Sequence, residues 1–294
     1  MIRGTLGRGC PACDSGEFRP LVVVRGTQIF RCIRCGLATW DWRVFDFESF
    51  YDESYWKSRE IGKGYADYFS LAGAMAHTHK ERLAWIARHL PAPSRKPSLL
   101  DVGCGPGFFV QAATQAGFAA AGIEVSRYAV NFAREQLDQD VWQGQVRSTD
   151  LRSGPYNVVT MWDVIEHLAD PADALAALAK VMAPRSVLAL STGDISSLTA
   201  RLSGARWHLF NLPEHMWFFN PGSLRRLLRK AGLRPIDYRY ETCWYPVRYL
   251  AERLEAMFAS KWTMSAHLGP LGELCVPVTL ADIVTVLARK VGAA

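Results

Sequence analysis

The chain has 294 residues, of which 49% are apolar and 21% charged, so it can bury a sizeable core, is not a disordered polymer, and has room for about two domains. With 34 basic and 28 acidic residues the net charge is +6, which permits an anionic partner but is too diffuse to specify one. No apolar run approaches the roughly 18 residues that span a bilayer, and Met1–Cys10 lacks the apolar stretch of a signal peptide, so neither a transmembrane segment nor export is expected.

The first distinctive segment, residues 1–40, holds four of the seven cysteines, as Cys10-Pro-Ala-Cys13 and Cys32-Ile-Arg-Cys35 with 18 residues between the pairs. That spacing matches a zinc site, because each C-x-x-C turn supplies two thiolates of a tetrahedron with Zn–S bonds of about 2.3 Å. The β-prone runs Leu21–Val24 and Gln28–Phe30 form the hairpin of a zinc ribbon, and Gly36 relaxes the second turn. The plain role of such a ribbon is to fold a module too small to bury a core of its own; nucleic-acid contact or redox pairing are the alternatives. An odd cysteine count without an export signal argues for a reducing, cytoplasmic location, and Cys104, Cys243 and Cys275 read as ordinary buried thiols.

Residues 41–97 form a connector rich in aromatic side chains, including Phe45, Phe47, Phe50, Tyr51, Tyr55, Trp56, Tyr65, Tyr68 and Phe69. From about Tyr65 to Leu90 the pattern is helical, with Leu71, Met75, Leu83, Ile86 and Leu90 near one face. Pro91, Pro93 and Pro97 end it. The aromatic residues serve either as a lid over a substrate or as packing between ribbon and main domain.

From residue 98 onward strand-like and helix-like segments alternate. Strands are expected at Ser98–Val102, Ala119–Ile123, Tyr156–Trp162, Val187–Ser191, Arg234–Tyr240 and Ile283–Ala288. Helices are expected at Phe108–Ala116, Arg127–Leu137, Asp173–Met182 and Ser223–Ala231. This order predicts an α/β fold, a doubly wound, mostly parallel seven-stranded sheet over residues 98–294, with a helical insertion at about 242–280 that carries Trp244, Tyr245, Tyr249, Trp262 and Met264.

The second strong signal is Leu99-Leu-Asp-Val-Gly-Cys-Gly-Pro-Gly107, between a strand and a helix. Gly103, Gly105 and Gly107 let the backbone turn sharply and approach a ligand, and the helix that follows offers its amides. Glu124 ends the next strand, where a carboxylate can accept both hydroxyls of a ribose. The nicotinamide-dehydrogenase fingerprint G-x-G-x-x-G is not matched, since Pro106 sits inside a G-x-G-x-G spacing. Asp101 would repel a pyrophosphate but attract an ammonium. The pattern suits a nucleoside with a cationic amino-acid tail.

Asp-Val-Gly-Cys-Gly-Pro-Gly with Glu124 resembles motifs I and II of the class I S-adenosylmethionine-dependent methyltransferases. The resemblance extends over roughly 98–290, through Tyr156–His167 (Asn157 standing where the family has Asp) and Gly144-Gln145-Val146 (where it usually has Gly-Asp). Within that class the chain is similar to the ubiquinone-biosynthesis-like O-methyltransferases, on Phe50-Tyr51, Tyr55-Trp56 and Pro213-Glu-His-Met-Trp-Phe-Phe219. The resemblance implies S-adenosyl-L-methionine held by Asp101, Gly103, Cys104, Gly105, Gly107, Glu124 and Val125, with Gln145 and Trp162 on the adenine side. It also implies methyl transfer to a small-molecule acceptor, most simply a hydroxyl of a secondary metabolite, quinone or glycan.

Removing the acceptor proton asks for a base, for which histidine is suited near neutral pH. His167, at the carboxyl end of the fourth family strand, and His215, between Glu214 and an aromatic run, are the candidates. In the ubiquinone-type enzymes an acid-x-x-Glu-His pattern, here Asp163, Glu166 and His167, is linked to a divalent cation at the acceptor site. Either histidine read plainly is a buried residue satisfied by backbone. Two other functions share the motifs: an RNA methyltransferase gripping nucleic acid through its ribbon, and a non-catalytic cofactor-binding protein. The ribbon's few basic residues, Arg19, Arg25, Arg31 and Arg34, argue against nucleic acid. A homodimer is allowed by everything above.

Overall fold

The computed structural model describes residues 9–42, 53–56, 68–91, 96–258 and 265–291. Phe45, Phe47, Phe50, Tyr51, Tyr65, Trp262 and Met264 lie outside them. The chain starts with a hairpin, β1 (Phe18–Val24) and β2 (Thr27–Cys32), paired antiparallel from Phe18↔Cys32 to Val24↔Thr27. Arg25 and Gly26, at φ 47° and 82°, make its two-residue turn, the geometry that follows the twist of paired strands. A two-residue strand, β3 (Ala38–Thr39), continues this sheet. Then come α1 (Glu53–Trp56) and α2 (Ala72–Ala87), which begins later than the expected Tyr65 and buries Leu83, Trp85 and Ile86.

The main domain follows as β4 (Ser98–Val102), α3 (Phe108–Gln115), β5 (Ala119–Glu124), α4 (Arg127–Glu135), β6 (Val141–Gln143), β7 (Tyr156–Trp162), α5 (Pro171–Val181) and β8 (Met182–Gly193). It is completed by α6 (Leu198–Ser203), β9 (Trp217–Phe218), α7 (Pro221–Lys230), β10 (Leu233–Tyr240), β11 (Cys243–Pro246), α8 (Val247–Phe258), β12 (Cys275–Val278) and β13 (Ile283–Lys290). Helix starts follow the capping residues. Ser126 accepts from the Ala129 amide, Asp170 precedes Pro171, and Asn220 and Ser223 form a reciprocal capping box.

Seven strands lie in the order β10-β13-β8-β7-β4-β5-β6, all parallel except β13, which is antiparallel to both neighbours. Their interior residues, such as Leu99, Leu100, Val158, Val159, Leu188 and Val286, are fully buried, as a sheet covered on both faces requires. The chain leaves β4 toward β5 and β6 and returns to β7 and β8 on the other side. The carboxyl edge between β4 and β7 is therefore the switch point at which open α/β sheets bind ligands.

Besides the later start of α2 and the short strand β6, two further features differ from the sequence expectation. The 242–280 insertion is not purely helical, because β11 and β12 pair as a hairpin beside α8. The Pro213–Phe219 stretch contributes β9, which pairs with β3 and so completes the four-stranded sheet β1-β2-β3-β9. One hydrophobic cluster accordingly runs from Cys10, Phe18, Cys32, Leu37 and Trp42 into Leu100, Ile165, Met216 and Trp217.

Candidate active site and cysteine cluster

A cavity of about 680 Å³ opens at the switch point. One end is the loop after β4. Gly103, Gly105 and Gly107 take φ values of 65°, 52° and 86°, and Gly107 caps α3. A Cβ on Gly103 would lie 2.5 Å from a Val164 methyl, so packing as well as conformation demands glycine there. Glu124 is buried and accepts from the amides of Gly105 (2.9 Å) and Ser126 (2.8 Å), fixing the loop against the β5 end. Burial raises its pKa, with these bonds opposing the rise. Asp101 lies below the loop, accepts from the Thr160 hydroxyl at 2.6 Å, and is pushed up to about 7 by burial.

Asp101, Gly103, Gly105, Glu124, Val125 and Gln145 all line this cavity, so the structure brings most of the expected cofactor residues together. The Cys104 side chain packs with Val110, Val130, Ala133 and Val141 in the core. Trp162 lines the cavity as well, at the β7 end. It ends β7, three strand steps from the β6 end that leads to Gln145, or about 14 Å at the usual strand spacing. Its indole lies under the Arg82 guanidinium (4.1 Å) and edge-on to Phe109 (5.3 Å). The described part of the aromatic connector closes over the glycine loop. Trp56 stands 3.0 Å from where a Gly105 Cβ would lie, donates its indole N–H to Ser126 Oγ (3.1 Å), and packs edge-on against Tyr55 and Tyr68.

The other end is built by α2, the β7 end and β11. Arg82, on α2, is buried and clamps Glu241 through two donors, one of them at 2.8 Å from Nε. Burial opposes its charge, but Glu241 overrides that and raises the Arg82 pKa. Asp163 follows β7 at φ 55°, accepts from Ser191 Oγ (2.9 Å), lies 3.7 Å from Arg82, and keeps its side chain 48% exposed. Arg82 and the hairpin residues Cys243, Trp244 and Tyr245 carry no sequence motif; only the folded contacts reveal them.

The four proposed acid–base residues separate into two groups. Asp163 belongs with Arg82 and Ser191. Glu166, His167 and His215 converge, each offering a ligand atom within 4.8 Å of the others, and the two imidazoles meet edge to face at 4.6 Å. His167 lines the cavity, whereas His215 and Glu166 lie behind it. Burial pushes His167 down to about 4, partly offset by a hydrogen bond to the Glu214 backbone; burial and His167 hold His215 well below its usual value. His215 Nδ1 lies 2.9 Å from the Leu209 carbonyl. Glu166 is raised to about 8 by burial and by Asp163, and its Oε2 finds no hydrogen-bond partner among the described residues. Two neutral imidazoles and an unsatisfied buried carboxylate oxygen fit a divalent cation better than the Asp163-containing set does.

At the other sheet the sulfurs of Cys10, Cys13, Cys32 and Cys35 all lie within 4.8 Å of one another, with Cys10–Cys35 at 3.4 Å and Cys13–Cys32 at 3.6 Å. Four thiolates around Zn²⁺ would stand about 3.8 Å apart, so the cluster fits such an ion closely. The contact between Cys10 and Cys35 pushes the Cys35 thiol down to about 5 and the Cys10 thiol up, so Cys35 is the readier thiolate of the two. Gly36, at φ 78°, turns the second knuckle.

A seven-stranded sheet with one reversed strand, and a glycine loop and acidic strand end at its switch point, define a Rossmann-like class I S-adenosylmethionine-dependent methyltransferase. Residues 75–238, more than half of the chain, match the family described as "Methyltransferase domain", and the chain belongs to that family. It is 32% identical to a ubiquinone biosynthesis O-methyltransferase of Thiobacillus denitrificans over 164 residues, covering 52% of this chain and 70% of that protein. The counterpart from Aromatoleum aromaticum is 30% identical, with 53% and 71% covered. Among solved structures, a S-adenosylmethionine-dependent methyltransferase from Archaeoglobus fulgidus aligns with a TM-score of 0.51 at 16% identity, over 76% of this chain and 99% of that one. Magnesium protoporphyrin IX methyltransferase from Synechocystis aligns at 0.50 and 17%, over 76% and 86%. These two similarities concern the fold. Among the described residues no helix is long and apolar enough to cross a membrane.

Proposed function

We propose that the chain methylates a hydroxyl group of a small molecule. The observation that carries this reading is that one cavity joins the glycine loop and Glu124 to Asp163, His167 and the β11 residues. A cofactor and an acceptor can thus meet without crossing solvent. The names of the relatives, O-methyltransferases of ubiquinone biosynthesis, support oxygen as the target.

S-adenosylmethionine supplies an electrophilic methyl on a sulfonium that is already a good leaving group, so the protein's task is alignment and proton removal. Glu124 would hold the ribose hydroxyls and Asp101 would face the ammonium, with the Gln145 loop beside the adenine. Trp56 and Tyr68 would keep water from the glycine-loop end. The His167 hydrogen bond to the Glu214 backbone makes its other ring nitrogen the proton acceptor. With a divalent cation bound, that nitrogen would instead join Glu166 and His215 as a ligand, and the cation's charge would lower the pKa of a nearby hydroxyl in place of the base. The cysteine cluster would hold structural zinc. Calorimetric titration with S-adenosylhomocysteine, followed by transfer of a labelled methyl to a panel of hydroxylated acceptors, tests the reading. Absence of cofactor binding, or labelling confined to amines or RNA, would overturn it.

A further inference from the structure

We propose that Thr39 and Trp40 are positioning residues, through which the cysteine ribbon holds the 214–218 segment against the cavity wall that carries His167. The argument begins with hydrogen bonds that cross between parts of the chain about 175 residues apart. The Thr39 hydroxyl donates to the Met216 carbonyl at 2.7 Å, and the Trp40 indole N–H donates to the His215 carbonyl at 2.8 Å. β3 and β9 pair at Ala38↔Phe218 and Thr39↔Trp217. Asn220 Nδ2 adds a bond to the Cys35 carbonyl (3.2 Å), next to the second cysteine knuckle.

From β9 the chain of bonds continues inward. The Met216 amide donates to the Glu166 carbonyl (2.9 Å), and the Trp217 indole donates to the Leu168 carbonyl (2.9 Å). His167 lies between these two acceptors, with its ring against His215. The ribbon is thus the outer layer of a hydrogen-bonded stack, ribbon to β9 to residues 166–168, that ends at the cavity. On the other side the Tyr55 hydroxyl reaches Glu214 (3.3 Å), so the aromatic cover over the glycine loop holds the same segment. A free-standing metal module needs none of these contacts. A module that shapes the acceptor wall needs all of them, and the glycine loop with Glu124 takes no part. Loss of the ribbon contacts therefore loosens the acceptor wall while the cofactor end stays intact.

The proposal rests on the reading of His167 as the acceptor-facing histidine, and its test is independent of any acceptor. Hydrogen exchange of the full chain is followed by mass spectrometry in peptides covering 165–168, 211–219 and, as a control, 98–102, beside zinc content and S-adenosylhomocysteine affinity by calorimetry. Thr39→Val should speed exchange in the first two peptides by about tenfold, leaving the control peptide, the zinc content and the affinity within about twofold of the parent. Thr39→Ser, which keeps the hydroxyl, should restore the parent pattern. If Thr39→Val does not fold, Trp40→Phe removes one donor at nearly constant volume and carries the same expectation. Exchange that rises only around residues 38–40, or that rises equally in the control, overturns the proposal. Absent cofactor binding in the parent protein would instead count against the methyltransfer reading. Removal of zinc by a chelator should loosen 211–219 in the parent, and an unchanged 211–219 after confirmed metal loss overturns the role of the ribbon.

Discussion

At the scale of single residues, the acids at the glycine-loop end set how the protein answers pH. Asp101 is pushed up to about 7 by burial, with Thr160 and Arg82 pulling the other way. Below that pH the carboxyl carries a proton, and a cofactor ammonium must displace it. Above it the carboxylate is already charged and attracts the ammonium. Cofactor affinity should therefore strengthen as pH rises through about 7, and Asp101→Asn should flatten the dependence; calorimetry between pH 6 and 8 measures both. Glu124→Ala removes the proposed ribose acceptor and also the anchor for the Gly105 and Ser126 amides. With hydrogen bonds to a charged group worth about 1.5–3 kcal/mol, S-adenosylhomocysteine binding should weaken by at least about tenfold. Gly103→Ala tests the backbone instead. A left-handed φ costs roughly 1–2 kcal/mol and the contact with Val164 roughly 1–3 more, so the thermal midpoint should fall even without ligand.

At the scale of elements, α2 contributes most through one residue that no motif marks. Arg82 stands on a helix whose other buried positions are chiefly apolar, and its guanidinium is neutralised by Glu241 from the end of β10. Arg82→Ala leaves a Glu241 side chain that is 2% exposed with only the longer Arg239 contact (3.7 Å), so the loss should approach the about 3–5 kcal/mol of a broken buried pair. Adding Glu241→Ala should recover part of the loss, and chemical denaturation of the single and double variants reads the difference. The pair also illustrates why some of the site could not be read along the chain. The glycine loop, Glu124 and the four cysteines are legible because their chemistry is set by spacing within a few residues or one hairpin. Arg82 with Glu241, and β3 with β9, are contacts between segments more than 150 residues apart, and periodicity carries no trace of them. β6 was missed for another reason: three residues are too few to show alternation, and only its pairing with β5 defines it. The strands at the centre of the sheet were legible since burial on both faces writes near-continuous apolar runs.

At the scale of the whole molecule, the question is whether the cysteine module and the large sheet unfold as one body. Two modules joined by a flexible connector would melt separately, because few contacts would cross between them. Here the contacts cross in bulk. Phe18, Leu37 and Trp42 share a buried cluster with Leu100, Met216 and Trp217, Trp42 packs edge-on against Trp217 at 6.1 Å, and the fourth strand of the ribbon's sheet is β9, from the main domain. Unfolding the ribbon alone would expose one side of that cluster and unpair β9, which in turn holds residues 166–168. Calorimetry of the zinc-loaded protein should therefore show a single transition. Binding free energy for a structural zinc appears as folding free energy, and in a chain of this size each kcal/mol moves the midpoint by about 2 °C. A loss of even about 3 kcal/mol on chelation would lower the whole transition by roughly 6 °C. A small, metal-sensitive transition preceding an unshifted main one would show that the ribbon unfolds on its own, and with that the large sheet would be stable without it.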